Sequence, residues 1–422
     1  MAEFSFVIID GDPVAADIQR LLLERLGHQV QVSLDASNAV EFVTRVKPDI
    51  LLIDIMLPAI DGLEVVRRLR LESGLRGLKI IVITRKSYPA DRDRALAMGA
   101  DGMILKPVDP ASFVEEVLTL AGDNIDITYW GLRGTRSVPG RRTLRYGGNT
   151  SCVSLELPGG QFFIFDAGTG LCELSRHLMK TRGGILSAKI FISHPHRDHI
   201  EALPLFAPLY IAGNEFEIMG PSQGALSMRE MAAAQMGGLY SPIPVRPFGA
   251  QIRYRNLSEE EFLIGNVRVS TLLLAHSGNC LGYRVALGDR VFCFITDNEL
   301  YQKGMPGHDP SFVEKLTEFV RGADILLADV MYTDEHYRGL VNWGHSGTSE
   351  VAALAHAAGV KELQLMQHDP DQTDDDIDRK LAEARAALDR LSSAVICTAP
   401  AEFSRRRMTA AGALAELPPI EN

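Results

Sequence analysis

One stretch decides how most of this chain is interpreted: Ser193-His194-Pro195-His196-Arg197-Asp198-His199. It follows the apolar run 189–192, which predicts a strand that ends in a loop. The loop carries three imidazoles and a carboxylate, although the whole chain has only 11 histidines. Histidines at i and i+2 can direct ring nitrogens at one ion, and Asp198 and His199 can reach a second ion. The sequence therefore predicts a metal site here, in preference to a chance cluster.

Three more residues of ligand type follow apolar strands further along the chain. The strand at 267–272 leads to His276, the strand at 291–296 ends at Asp297, and the strand at 363–367 ends at His368. A rigid sheet edge holds side chains to the tolerance that metal coordination demands, although each residue alone would more often be an ordinary polar strand end. Together they predict a centre with two ions. We assign His194, His196 and His276 to one ion, Asp198, His199 and His368 to the other, and Asp297 as a bridge.

The first part of the chain has a different pattern, in which apolar strands alternate with helical segments. Four strands end, in chain order, at Asp10, Asp54, Thr84 and Lys106. This alternation predicts a doubly wound parallel sheet, whose chemistry lies at the carboxyl ends of its strands. We therefore predict an α/β domain at residues 1–122 and a second domain at residues 123–422.

Residues 1–122 resemble the receiver domain of two-component response regulators over essentially their full length. The resemblance implies that Asp54 accepts a phosphoryl group, that Thr84 senses it and that Lys106 pairs with it. A group of carboxylates can bind Mg²⁺, and one of them can then act as the nucleophile that accepts the phosphoryl group. The usual adjacent acidic pair is altered, because Gly11 follows Asp10 and the second acid is Asp12. Receiver chemistry with Mg²⁺ and a docking or dimerisation module without catalysis therefore both remain open.

Residues from about 125 to 400 resemble the metallo-β-lactamase superfamily, in which an HxHxDH loop and three later ligands build a dinuclear site in an αβ/βα sandwich. Motifs such as Gly131-Leu132-Arg133-Gly134-Thr135 and Gly344-His345-Ser346 resemble its phosphodiesterase branch, near ribonuclease Z and the cyclic-phosphodiesterase-like hydrolases. The resemblance implies that His345 protonates the leaving alkoxide and that Asp329 keeps this imidazole charged. Asp198 would also orient the attacking water. The alternative is that His345 caps the helix that follows it.

Two cations about 3.5 to 4 Å apart can bind a phosphodiester and hold a hydroxide between them. Histidine and carboxylate ligands suit zinc first, and also manganese or iron. The leading hypothesis is therefore a response regulator whose output is a dinuclear phosphodiesterase for a cyclic nucleotide or a related small phosphodiester. The alternatives are an RNA-processing nuclease of the ribonuclease Z type and a signalling scaffold. A sensor histidine kinase and a second copy of the chain are the expected partners.

The composition limits the remaining choices. With 46% hydrophobic and 23% charged residues, the chain is typical of soluble globular proteins. Its five scattered cysteines form no CxxC pair, which fits a reducing cytoplasm. No apolar run approaches a membrane span, and residues 1–4 lack the basic segment of a signal peptide. A net charge of −11 disfavours broad binding to nucleic acid, although Trp343, Tyr332 and Tyr240 could stack on a base.

Overall fold

The computed structural model describes residues 4–58, 60–75, 78–85, 89–122, 124–184, 186–235, 248–409 and 412–421. Ala59, Asp123, Tyr240 and residues 1–3, some of which enter the predictions above, lie outside these ranges. The chain divides into two compact units, residues 1–125 with 156–161 and residues 126–155 with 162–422. Among the described residues, no helix is long and apolar enough to cross a membrane.

The first unit alternates strands and helices along its whole length. Its elements are β1 (Ser5–Ile9), α1 (Pro13–Glu24), β2 (Gln29–Ser33), α2 (Ala39–Val46), β3 (Ile50–Ile53), α3 (Gly62–Leu71), β4 (Lys79–Thr84), α4 (Pro89–Ala97), β5 (Gly102–Leu105) and α5 (Phe113–Ala121). All paired strands are parallel, in the order β2-β1-β3-β4-β5. One core joins α2, α3 and α4 to the sheet, and another joins α1 and α5 to it. The predicted doubly wound parallel sheet is confirmed.

The second unit contains two larger sheets. Its strands are β6 (Ile125–Gly131), β7 (Cys152–Leu157), β8 (Gln161–Phe165), β9 (Ser187–Phe191), β10 (Glu215–Pro221), β11 (Gln251–Leu257), β12 (Glu261–Ile264), β13 (Val267–Leu273), β14 (Leu281–Leu287), β15 (Arg290–Ile295), β16 (Ile325–Asp329), β17 (Glu362–Met366), β18 (Ile396–Thr398), β19 (Arg405–Met408) and β20 (Leu414–Leu417). Its helices are α6 (Gly170–Arg182), α7 (Arg197–Ile200), α8 (Met228–Gln235), α9 (Pro310–Val320), α10 (Asp334–Tyr337), α11 (Thr348–Ala357) and α12 (Asp374–Arg390).

These elements form four layers. The sheets have the orders β11-β10-β9-β8-β7-β6-β19-β20 and β12-β13-β14-β15-β16-β17-β18. Between them, Phe165 and Phe191 of the first sheet meet Tyr283 of the second, with ring centroids 5.7 and 5.3 Å from that of Tyr283. Helices α6 and α8 cover the outer face of the first sheet, and α9, α11 and α12 cover that of the second. The expected αβ/βα sandwich is confirmed.

Strand direction in the second sheet brings distant parts of the chain to one edge. Strands β15, β16 and β17 are parallel, and β13 runs in the same direction because it is antiparallel to β14, which is antiparallel to β15. Their carboxyl ends therefore share one edge. The segments that follow contain His276, Asp297 and Gln367, and β16 ends at Asp329 itself.

Candidate metal centre and acidic pocket

Four side chains converge at this edge: His194, His196, His276 and Asp297. Their candidate ligand atoms all lie within 4.8 Å of one another. His196 Nδ1 is 3.2 Å from His276 Nε2, and Asp297 Oδ2 is 3.6 Å from His194 Nε2 and 3.5 Å from His276 Nε2. Ligand atoms around a tetrahedral zinc ion are roughly 3.3 Å apart, given bonds of about 2.0–2.1 Å. These four residues, called the histidine cage below, therefore fit one divalent ion.

Two features leave ring nitrogens of the cage available to a cation. His194 Nε2 is buried and has no hydrogen-bond partner in the described part of the chain, so an ion would satisfy it. Burial, with a smaller contribution from His199, lowers the pKa of His194 well below its usual value, which keeps the ring in the neutral form that binds metals. His276 Nδ1 lies 2.9 Å from the carbonyl oxygen of Gly344, to which it donates, leaving Nε2 for the cage. A Cβ at Gly344 would collide with the His276 ring.

A second group of atoms lies on the other side of Asp297. His199 Nε2 is 3.1 Å from Asp198 Oδ2 and 3.2 Å from Asp297 Oδ1. On its far side, His199 Nδ1 is 2.6 Å from the buried Asp166, which also accepts hydrogen bonds from Ser151 and Ser193. This contact favours a proton on Nδ1, so Nε2 is the nitrogen that faces the group. Burial lowers the pKa of His199, but the charges of Asp198, Asp297 and Asp166 raise that pKa well above its usual value. Asp297 thus has one oxygen toward the cage and the other toward His199.

His345 and Asp329 lie beside the cage. His345 Nδ1 is 2.7 Å from Asp329 Oδ2, and its Nε2 is 4.0 Å from Asp297 Oδ2. Burial lowers the pKa of His345, but the charge of Asp329 and the hydrogen bond to it raise that pKa to about 9. The imidazole is therefore charged at neutral pH, with a proton on Nε2. Helix α11 begins only at Thr348, with Gly347 in the capping position, so the geometry does not support His345 as a helix cap.

The first unit has its own acidic pocket, of about 690 Å³, at the carboxyl ends of its strands. Lys106 Nζ donates to Asp10 at 2.7 Å and to Asp54 at 2.5 Å. Asp12 lines the pocket but caps α1, since its Oδ1 accepts the backbone N–H groups of residues 14 and 15. Its Oδ2 is 3.3 Å from Arg85 Nη2. Asp54 and Lys106 therefore line the pocket, Asp10 lies behind Lys106, and one oxygen of Asp12 is committed to the helix. Thr84 is buried at the end of β4.

Comparison with known proteins identifies both parts of the chain. Residues 6–118 match the response regulator receiver domain family, and residues 162–368 match the beta-lactamase superfamily domain. The chain joins a receiver domain to a metallo-β-lactamase-fold domain. The receiver domain is 34% identical over 111 residues to the DNA-binding response regulator MtrA of Mycolicibacterium smegmatis, which covers 26% of this chain and 47% of MtrA. The chain spans about half the length of the curated relatives it matches.

Solved structures resemble the β-lactamase-fold domain. The metallo-beta-lactamase fold protein YhfI of Bacillus subtilis matches with a TM-score of 0.46 and 17% identity, over 70% of this chain and 100% of YhfI. The short form of human tRNase Z matches with a TM-score of 0.44 and 21% identity, over 66% of this chain and 98% of that chain.

The described contacts of His368, in the β-lactamase-fold domain, are with residues other than the six further predicted ligands. Both ring nitrogens are buried and, within the described ranges, neither has a hydrogen-bond partner, so the ring makes no hydrogen bond to the other six predicted ligands. It lies near Tyr146, with ring centroids 6.2 Å apart. Burial, with the charges of Lys380 and Arg133, lowers its pKa well below the usual value. The assignment of His368 to a second ion stays a prediction, which these contacts do not support.

Gln367 takes the expected place of His368. Its Nε2 is 3.1 Å from His199 Nε2 and 3.2 Å from Asp198 Oδ2. The backbone of His368 bonds to Leu132 and Gly134, which fixes the end of this segment. Gln367 follows the end of β17 and has a φ of 56°, in the left-handed region, so the alternation of side chains along the strand does not decide which of the two residues faces the centre. Sequence reasoning missed Gln367 because histidine is the commoner ligand.

The other aromatic and catalytic candidates are placed as follows. Tyr332 is buried within 6.1 Å of the His345 ring, measured between ring centroids, and Trp343 is 65% exposed. Tyr240 lies outside the described residues. Asp198 accepts a hydrogen bond from the backbone of Thr135 at 2.7 Å. That contact joins the Gly131–Thr135 motif to the metal centre.

Lys380, beside His368, makes the stability of this domain depend on pH. Its Nζ donates to Gln372 at 2.9 Å, and burial lowers its pKa from 10.5 to about 7. The unfolded chain therefore binds more protons than the folded chain between these two values, so the free energy of unfolding increases with pH across that window, by at most about 1.4 kcal/mol per unit. His345, whose pKa is raised to about 9, contributes a slope of opposite sign in both the parent and a Lys380→Met variant. We therefore expect the melting temperature of the parent to rise relative to that of Lys380→Met from pH 7 to pH 9. The same pH dependence in both proteins would contradict this assignment.

Proposed function

We propose that this chain is a response regulator whose β-lactamase-fold domain is a metal-dependent phosphodiesterase for a small phosphodiester such as a cyclic nucleotide. The observation that carries the proposal is the position of His345, whose Nδ1 lies 2.7 Å from Asp329 and whose Nε2 lies 4.0 Å from Asp297 of the cage. Cleavage of a phosphodiester releases an alkoxide, which needs a proton. The cage and this proton donor lie side by side, as that reaction requires.

Each residue of the centre has a separate proposed role. A divalent ion in the cage, with zinc expected and manganese or iron as alternatives, would supply Lewis-acid polarisation of a phosphoryl oxygen. His345 holds a proton at Nε2 for the leaving group, and Asp329 fixes the ring through Nδ1. Asp329 is itself fixed, because it accepts backbone hydrogen bonds from Asn298 and Met331 at 3.0 Å each. Asp198 is held by Thr135 and is suited to orient an attacking water.

A small substrate fits the electrostatics better than a long nucleic acid. The net charge of −11 opposes the counterion release that drives binding to a phosphate backbone. A single phosphodiester group can instead be held by the ion and by His345. An RNA substrate of the ribonuclease Z type is therefore the second candidate.

The test uses the full chain, loaded with zinc or manganese, against cyclic mononucleotides, cyclic dinucleotides and a short single-stranded RNA. We expect turnover of at least one cyclic substrate, its loss on chelation and its return when metal is added back. Turnover of the RNA alone would favour the second candidate, an RNA-processing nuclease, over the cyclic-nucleotide phosphodiesterase. The absence of metal-dependent turnover on all substrates would contradict it.

We also propose that Asp54 accepts a phosphoryl group from a sensor histidine kinase or from a small phosphodonor. The support is the position of Lys106, which contacts Asp54 and Asp10 together and would neutralise the incoming charge. Asp12 serves as a helix cap, so Mg²⁺ would have to share its carboxylate with α1.

Incubation with acetyl phosphate and Mg²⁺ should phosphorylate the parent chain on Asp54, and Asp54→Asn should abolish the modification. Intact-mass measurement reads the product directly. The matched control is Asp61→Asn, because Asp61 lines the same pocket and asparagine can still cap α3. A modification that survives in Asp54→Asn, or no modification of the parent, would leave the receiver domain as a docking module.

A further inference from the structure

We infer that the metal centre retains one ion and that Gln367 sets this limit. The inference rests on the proposed metal centre but not on the proposed substrate. It concerns the group on the far side of Asp297, formed by Asp198, His199, Asp297 and Gln367 and called the glutamine side below.

Gln367 occupies the position of a metal ligand on the glutamine side. Its amide nitrogen lies 3.1 Å from His199 Nε2 and donates to Asp198 Oδ2 at 3.2 Å. An amide NH₂ group has two hydrogens and no lone pair for a metal. It therefore fills this position without supplying a ligand atom to a cation.

The opposite orientation of the amide does not restore a strong ligand. It would place Oε1 against the Asp198 carboxylate, which is repulsive unless a cation lies between them. With a cation present, Oε1 is a neutral oxygen ligand, a type that suits magnesium, calcium or manganese, whereas imidazole suits zinc and iron. In the present orientation Oε1 is buried, and no partner for it exists in the described part of the chain.

The histidine cage shows the contrast. It offers three imidazoles and a carboxylate, and His194 Nε2 has no hydrogen-bond partner among the residues that the structure describes. The glutamine side offers one imidazole, two carboxylates and an amide that donates. Since Asp297 is shared by both sides, an ion in the cage also takes part of its charge. The two sides therefore differ in affinity, and the cage binds first.

The backbone holds Gln367 in this place. The side chain is fully buried, and its φ of 56° lies in the left-handed region. The hydrogen bonds of His368 to Leu132 and Gly134 hold the next residue, so a rotation that exchanges the two side chains would break the local pairing. His368 cannot replace Gln367 without that loss.

The test counts ions in the full chain. Purified parent, Gln367→His and His368→Gln are each saturated with zinc, dialysed exhaustively against metal-free buffer and analysed by mass spectrometry for zinc per chain. We expect one ion in the parent, two in Gln367→His and one in His368→Gln. His368→Gln is the matched control, because it removes the histidine that the sequence alone would assign to the centre.

Each outcome decides the inference. Two retained ions in the parent would overturn it, and one ion in a folded Gln367→His would overturn the role of Gln367. If that variant fails to fold, by circular dichroism, Gln367→Glu takes its place in the zinc count: two retained ions support the role of Gln367, and one ion contradicts it. The count requires no turnover, so it stands or falls separately from the phosphodiesterase proposal.

Discussion

His196→Ala is expected to lose its metal and its hydrolytic activity while keeping its fold. His196 is the exposed member of the histidine cage, and its Nδ1 lies 3.2 Å from His276 Nε2. Removing a direct ligand should lower metal affinity by about 100-fold or more, since changes behind the ligands already cost 10–100-fold. Metal per chain after dialysis and kcat/KM on the best cyclic substrate measure the two effects. Both should fall together.

The control for this variant is His336→Ala, which removes an exposed imidazole from α10, outside the cage. It should keep the parent metal content and rate. If His196→Ala retained its ion and its rate, the histidine cage would not be the metal site. A loss of melting temperature in His196→Ala beyond that caused by stripping metal from the parent would indicate a structural role instead.

His345→Asn is expected to separate chemistry from metal binding. Metal content should stay at the parent level, because His345 is not one of the four cage residues. The kcat on a cyclic nucleotide should fall by about 10²–10⁴-fold, the usual contribution of a general acid. With bis(4-nitrophenyl) phosphate the loss should be much smaller, since 4-nitrophenolate leaves without a proton. The difference between the two substrates identifies proton donation, which a change in packing would not produce.

The control for His345→Asn is His356→Asn on the exposed side of α11, which should match the parent on both substrates. Equal losses on the two substrates would contradict a role as proton donor. Loss of metal from His345→Asn would show that this residue supports the cage instead.

The sequence predicts the fold and the main positions of the centre well, because polar residues that follow buried strands can be recognised in the sequence. The buried run that ends at Asp54 and the run that leads to the loop at His194 both become strands, β3 and β9, and their polar ends lie at sheet edges. Position after a buried strand restricts a side chain to a small region of space. For this reason the loop, His276 and Asp297 could be brought together from spacing alone.

Two details depend on information that spacing does not contain. The choice between Gln367 and His368 depends on which of two successive side chains faces the centre, and backbone bonds from Leu132 and Gly134, more than 230 positions away, fix it. Whether Asp12 is free to bind a metal ion depends on where α1 begins. Pro13 favours a helix start at that position, so the Asp12 carboxylate caps the helix. Both are effects of local backbone geometry that a list of candidate ligands does not reveal.

We propose above that this centre cleaves phosphodiesters with the help of a metal ion. The most direct measurement is the rate at which the zinc-loaded full chain hydrolyses bis(4-nitrophenyl) phosphate, compared with 4-nitrophenyl acetate, before and after chelation. We predict turnover of the diester that chelation abolishes and added zinc restores, with the acetate hydrolysed no faster than by buffer. A diester rate at the buffer level, or a metal-dependent rate on the acetate alone, would contradict phosphodiester cleavage at this centre.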